Sequence, residues 1–284
     1  MRYAALKDAS FGIQIDDLDL SREQPDEVIR ELVALFHRHQ LVKIPAQRLR
    51  LQDFDRVGRW FGQAHPHVVA KGRVEGFPAI SLLTNADETR RDASAHWHTD
   101  NTYESVPATA TMLWAKATPR MGGDTLVADM YTAYDTLPAD VKRDIEGLRT
   151  LNAWSVIRAD DTTGKQRPET AAPMDVVRHP LVLRHPVTGR KALYGVTGTS
   201  YAIEGLPPDE GIALLEMLTR HALNDAFVAR VGYAAGDLAA WDTLATLHAA
   251  TPIASPAGDG SMLREMYRIS VKTRSPWARI DDPG

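Results

Sequence analysis

From about residue 95 onward the chain is cut into short runs of strand length, and this constrains the fold more than any other feature. The runs are 109–117 (TATMLWAKA), 124–130, 179–185, 190–196, 236–242 and 264–272, separated by turns rich in Pro and Gly such as TPRMGG and HPVTGR. Only two helical patterns interrupt them, at 139–148 and 208–223. Many short strands with turn signals favour a sandwich or jelly roll over a doubly wound parallel sheet. No strand leads into a phosphate-binding loop: GVTGTS (195–200) lacks the final glycine and the helix opening of a dinucleotide fingerprint. Nucleotide binding is therefore unsupported.

Ahead of these runs, Ile13, Ile15 and Leu18 alternate with polar residues as in a half-buried strand. A helix begins at Pro25 and places Val28, Ile29, Leu32, Leu35 and Phe36 on one face before ending at residue 39. LVKIP (41–45) is a short strand that Pro45 stops, and 51–62 is a second amphipathic helix closed by Gly62. This opening unit reads as two helices laid on the edge of a sheet. Residues 150–178, rich in polar residues and prolines, read as a long excursion or lid. The whole is expected to be one domain, α+β and mainly β. Its N-terminal strands and helices (1–90) pack on a core of 95–275 that carries an insertion around 140–178.

Composition narrows the chemistry. The 33 basic and 37 acidic residues leave a net charge of −4, which makes no case for DNA, RNA or an anionic membrane as partner. There is no cysteine, so disulfides, thiolate nucleophiles, iron–sulfur clusters and Cys-ligated zinc are excluded. A metal would have to be held by His, Asp or Glu, which favours the harder divalent ions. No run of 18 apolar residues occurs, and the N-terminus has no signal-peptide core, so a cytoplasmic protein is expected.

The histidines carry the candidate chemistry. His37 and His39 suit a helix C-terminus, His179 and His185 precede prolines as turn residues, and His221 lies on a helix surface. His98 and Asp100, in HWHTDN, are different: at i and i+2 on a strand they would share a face and could both bind one ion. An H-x-D tripeptide alone is equally a structural hydrogen-bonded pair. A third ligand must come from elsewhere, and His248, after the strand 236–242, is available, unless it is a strand-end histidine bonded to backbone. Arg264 and Arg268, four apart on a strand, would also share a face, which needs an anion or solvent opposite each guanidinium.

In order along the chain, WHTDNTY (97–103), GGDTLVADMYTAYDTLP (122–138), HPLVLRHPVTGRKALY (179–194), GDLAAWDTLATLH (236–248) and REMYR (264–268) resemble the taurine dioxygenase and 2,4-dichlorophenoxyacetate dioxygenase family. These are Fe(II)- and 2-oxoglutarate-dependent oxygenases. The resemblance implies a double-stranded β-helix (jelly-roll) core with flanking helices. It implies that His98, Asp100 and His248 ligate Fe(II), and that Thr125 and Arg264 hold the distal carboxylate of 2-oxoglutarate. The keto-acid end would chelate the iron and leave one position for O2. Arg268 would meet an anionic group of a small substrate, assisted by His67 in preference to its neighbour His65, with Tyr103 lining the pocket.

The activity so implied is hydroxylation, with cleavage where the attacked carbon bears a heteroatom, of a carboxylate or sulfonate, releasing succinate and CO2. An alternative within the same cofactor class is a biosynthetic oxygenase that hydroxylates, desaturates or cyclises an amino-acid-like metabolite. A non-catalytic jelly roll that senses 2-oxoglutarate is disfavoured by the intact ligand set, and Asp100 disfavours halogenation. Family members commonly self-associate, which implies a homo-oligomer. The chain departs from the family pattern at Thr243 (WDT for WDN), in the longer segment 249–263, at His96, and in lacking a tyrosine in HPHVVAKG, which weighs against taurine itself.

Overall fold

The computed structural model describes residues 1–7, 9–66, 70, 72–86, 96–153, 176–253 and 260–278. His67 lies outside the described residues, as do most of the expected excursion (154–175) and part of the segment after His248 (254–259).

The chain opens with β1 (Tyr3–Ala5), β2 (Ile13–Ile15), α1 (Asp26–His39), β3 (Leu41–Ile44) and α2 (Leu51–Phe61), then β4 (Gln63–His65), β5 (Arg73–Val74) and β6 (Phe77–Thr84). β7 (Ala110–Ala117) and β8 (Thr125–Asp129) lead into α3 (Met130–Asp135), α4 (Ala139–Ile145) and β9 (Arg149–Asn152). β10 (Val177–Pro180), β11 (Val182–Arg184), β12 (Lys191–Leu193) and β13 (Ser200–Ile203) precede α5 (Pro208–Ala222). The last strands are β14 (Val228–Val231), β15 (Leu238–Asp242), β16 (Thr246–Ala250) and β17 (Glu265–Lys272). The content is α+β and mainly β. None of the described helices is long and apolar enough to cross a membrane.

Two sheets face each other. The larger has nine strands in the order β1-β2-β3-β15-β7-β17-β6-β5, with β4 also paired to β17. The smaller runs β14-β8-β16. Strand alternation sorts their side chains. Leu113, Ala115, Ala239, Trp241 and Met266 point inward and meet Val127, Ala229 and Val231 of the small sheet. The alternate residues Met112, Ala240, Ile269 and Val271 point outward and pack on Phe36, Phe54, Val57 and Phe61 of α1 and α2. The outer face of the small sheet, with Ala128 and Leu247, is covered by α3 and α5 through Met130, Leu215 and Leu218. Both sheets are thus wet on neither face, and each large apolar side chain so buried contributes roughly 1.5–3 kcal/mol.

Several expectations change here. The two N-terminal helices cover the outer face of the large sheet and not its edge, because each presents one continuous apolar stripe. The run 179–185 divides at Leu181 into β10 and β11. His248 lies inside β16, which follows β15 after a turn of three residues, and not merely past the end of a strand. Strands β6, β9, β13 and β14 were not anticipated.

One buried polar cluster ties these layers together. Asp242, at the end of β15, is fully buried and accepts hydrogen bonds from His37 Nδ1 (2.8 Å), His185 Nε2 (3.1 Å) and the Leu244 N–H (3.1 Å). His185 Nδ1 accepts the N–H groups of Val187 and Thr188 at 3.2 Å each, so its proton sits on Nε2, facing the carboxylate. His37, in the last turn of α1, and His185, at the turn after β11, stand where the sequence places them, but their rings face Asp242. They converge from α1 and from the turn after β11 to hold the β15–β16 corner.

Burial alone would raise the Asp242 carboxyl, but His185 and His37 outweigh it and hold it below the ordinary value of 3.8. Its stabilising contribution is therefore present above that value and fades as the pH falls below it. Asp242→Asn is expected to destabilise the protein by about 2–4 kcal/mol at pH 7, with the gap from wild type narrowing at pH 3. Urea unfolding of both proteins at the two pH values checks this; an equal gap at both would remove the charge from the explanation.

Candidate metal centre and its surroundings

His98 and Asp100 are not successive same-face residues of one strand. His98 forms an isolated bridge with His248, each backbone N–H bonded to the other's carbonyl at 2.9 Å, and Asp100 begins a turn spanning 100–103. The bridge, and not strand periodicity, brings the side chains together. His98 Nε2 lies 3.6 Å from Asp100 Oδ1, His248 Nε2 lies 3.8 Å from Asp100 Oδ2, and the two imidazole centroids are 4.2 Å apart.

Each side chain is held from behind. His98 Nδ1 donates to the carbonyl of His96 at 2.9 Å, which turns Nε2 toward Asp100 and His248. This places His96: its carbonyl orients the ligand, and its ring stacks on that of His98 at 4.8 Å. Trp97 packs into the core under the small sheet. Asp100 Oδ2 accepts a 2.6 Å hydrogen bond from Thr111, whose hydroxyl also meets Ser270 at 3.2 Å. His248 is wedged against the Trp241 ring at 4.8 Å, with Nδ1 buried and unpartnered among the described residues. The Thr243 hydroxyl, at the position that departs from the WDN pattern, is also buried without a partner.

The electrostatics point to a cation. Burial, and then the His98 ring, push the His248 imidazolium pKa down to about 3, so the ring is neutral. Burial works to raise Asp100, but His248, His98 and Arg268 together hold it well below the usual carboxylate range. An ionised carboxylate thus faces the neutral His248 ring and the Nε2 atom of His98 at 3.8 and 3.6 Å, beyond hydrogen-bond distance. This fits one divalent ion held by two histidines and a carboxylate on one side, leaving the other side open.

Among the described residues one other group, His37, His185 and Asp242, has the same composition and similar proximity. It does not suit a metal. Binding through His185 Nε2 would force a proton onto Nδ1, into two backbone N–H donors.

The turn after Asp100 is built to stay in place. Asn101 adopts the left-handed region at φ 60°, and its amide donates to Tyr103 (3.3 Å) and to Glu104. Glu104 also pairs with Lys272 of β17. His179, read from sequence as a turn residue, is instead buried on β10, and its Nε2 reaches the carbonyls of Thr102 (2.9 Å) and Glu104 (3.0 Å). Tyr103 is buried in this turn, its phenol pushed up by burial and then by Asp100.

On one side of the triad a small cleft is lined by His65, Asn101, Ala108, Arg268, Ser270 and Lys272, with Ala79 and Ser81. Arg268 Nη1 stands 4.0 Å from Asp100 Oδ1. The histidine placed here is His65, the neighbour that the sequence reading ranked second.

Arg264 and Thr125 form a separate buried pair. Arg264 precedes β17, and a register shift follows between Glu265 and Met266, so the simple same-face spacing of the two arginines does not apply. Arg264 is 7% exposed, and its guanidinium donates from Nε to the Gly123 carbonyl at 2.9 Å. Gly123 has φ +74°, and a Cβ there would stand 3.0 Å from Arg264 Cδ, so only glycine leaves this approach open. Thr125, at the start of β8, is 3% exposed and accepts a 2.9 Å hydrogen bond from Tyr233. Sequence reasoning missed Tyr233, which is distant in the chain and belongs to no motif.

Comparison with known proteins gives the family. Residues 3–270 match the family described as "Taurine catabolism dioxygenase TauD, TfdA family". The alpha-ketoglutarate-dependent 2,4-dichlorophenoxyacetate dioxygenase of Cupriavidus pinatubonensis is 30% identical over 259 residues, covering 84% of this chain and 88% of the relative. The (S)-phenoxypropionate/alpha-ketoglutarate-dioxygenase of Sphingobium herbicidovorans is 29% identical over 255 residues, covering 86% and 88%. Among solved structures, a taurine dioxygenase from Burkholderia xenovorans superposes with a TM-score of 0.79 at 27% identity, covering 98% of this chain and 92% of that one.

Thr111→Val removes the hydroxyl that fixes Asp100 without changing side-chain volume much. It is expected to weaken binding of a divalent ion about 10- to 100-fold, measured by competition with a chromogenic chelator. Unchanged affinity would mean that the turn alone positions the carboxylate.

Proposed function

Because the chain belongs to the TauD/TfdA dioxygenase family, we propose that it is an Fe(II)- and 2-oxoglutarate-dependent dioxygenase that hydroxylates a small organic anion. We read its facing sheets as the jelly-roll core of that family. The observation that carries the proposal is the convergence of the His98, Asp100 and His248 side chains, flanked by two differently held arginines. Bound Fe(II), with 2-oxoglutarate and O2, would supply the oxidising chemistry, in which succinate and CO2 are released as a substrate C–H bond is hydroxylated.

The residues divide the remaining work. His98, Asp100 and His248 hold the ion from one side. Arg264 offers its terminal guanidinium nitrogens, and Thr125 its hydroxyl, to the distal carboxylate of 2-oxoglutarate; a forked cation suits a carboxylate bidentately. Arg268, on the cleft side, takes the anionic group of the substrate, with His65 beside it. The relatives named above act on phenoxy carboxylates, and the family is described by taurine, a sulfonate. Either head group fits one guanidinium in a partly buried cleft. Where the hydroxylated carbon carries an ether oxygen or a sulfonate, the product breaks down and the bond is cleaved. Tyr103 sits too deep in its turn to form a broad wall, and its part is to brace Asn101 beside the cleft.

The test has two stages. Anaerobic addition of Fe(II) and 2-oxoglutarate is expected to produce a weak visible absorption band that His98→Ala abolishes; a folded protein without the band would refute the metal assignment. A panel of small carboxylates and sulfonates is then screened for stimulated succinate release. For a substrate so found, Arg268→Ala is expected to raise its KM at least tenfold while changing the KM for 2-oxoglutarate little. Equal effects on both would mean that the two arginines have been given each other's roles.

A further inference from the structure

The buried pair Arg264 and Thr125 has a third member that no sequence motif carries. β14 runs antiparallel to β8 with Val231 opposite Thr125, and two residues later Tyr233 folds back over the start of β8. Its ring packs against the core between the sheets. Its hydroxyl donates to Thr125 Oγ1 at 2.9 Å, close enough to Arg264 that each affects the other's ionisation.

The direction of that hydrogen bond matters. A threonine hydroxyl has one proton and two lone pairs. With a lone pair already taken by the phenol, the Thr125 proton is free to be donated, and a buried hydroxyl needs an acceptor for it. Arg264 stands in the same condition: it is nine-tenths buried, and only Nε is bonded among the described residues. Burial first, against the opposing effect of the Thr125 bond, pushes the phenol up to about 12, so it remains a donor through the whole working range. The nearest acid, Asp124, is engaged by Arg230 at 2.6 Å. One acceptor with two oxygens would satisfy both the hydroxyl and the guanidinium.

We propose that Tyr233 is a positioning residue for the keto-acid cosubstrate: by donating to Thr125 Oγ1, it commits the threonine proton to the ligand's distal carboxylate. This rests on the reading of Thr125 and Arg264 as the cosubstrate site. Tyr233 acts through Thr125 and touches no reacting atom. It should therefore influence recognition of the distal carboxylate and nothing else about the ligand.

The experiment measures binding to the Mn(II)-loaded protein by calorimetry, with two probes. One is 2-oxoglutarate; the other is 2-oxopentanoate, which has a methyl group in place of the distal carboxylate. Tyr233→Phe is expected to weaken 2-oxoglutarate about three- to tenfold and to leave 2-oxopentanoate unchanged. In a Thr125→Ala background the same substitution is expected to have no further effect. Three results would overturn the inference: unchanged 2-oxoglutarate affinity in Tyr233→Phe, equal weakening of both acids, or an undiminished effect without Thr125. If Thr125→Ala itself leaves 2-oxoglutarate affinity unaltered, the cosubstrate assignment of this pair fails, and the role of Tyr233 with it.

Discussion

Two backbone hydrogen bonds, those exchanged by His98 and His248, carry the architecture of the site. They join the segment before β7 to β16 of the small sheet, and in doing so set two imidazoles side by side. Everything else is arranged around that bridge. The turn at 100–103 swings Asp100 back across the two rings, Thr111 fixes one of its oxygens from the large sheet, and His179 anchors the turn from β10. A site assembled from both sheets in this way is only as well defined as their mutual packing. That packing rests on the inward residues Leu113, Trp241, Met266 and Val127.

The position of protons separates the two His₂Asp groups of this chain. Around Asp242, every facing imidazole nitrogen donates and the carboxylate is saturated, so the cluster is closed and its work is structural. Around Asp100, the His98 Nδ1 is turned away to the His96 carbonyl, and the facing Nε2 atoms of His98 and His248 lie 3.6 and 3.8 Å from the carboxylate, beyond hydrogen-bond distance. The difference lies in what stands behind each ring, not in the residue types. A count of histidines and aspartates cannot make the distinction, and the backbone N–H groups of Val187 and Thr188 can.

Much of this was legible in the sequence. Strand lengths and Pro/Gly turns pointed to an antiparallel sandwich, and the amphipathic stripes of α1 and α2 marked the helices that cover it. His98, Asp100 and His248 do come together in the fold, although the strand geometry invoked for the first two was wrong. The rest was hidden for specific reasons. His37 and His185 looked ordinary because each has unremarkable neighbours in the chain, and only the fold brings them to Asp242. Tyr233 and His179 are single residues without a spacing pattern, and their roles depend on contacts far from their own positions. A bulge between Glu265 and Met266 defeated the alternation argument for the arginines, since alternation holds only where the ladder is regular.

The convergence of three donor side chains also couples occupancy to folding. His98, Asp100 and His248 meet only in the folded chain and separate in the unfolded one, so an ion that filled the site would stabilise the folded state. The gain follows mass action, about 2.7 kcal/mol when free metal is a hundredfold above its dissociation constant. An ion held there would therefore raise the folded population as well as equip the site.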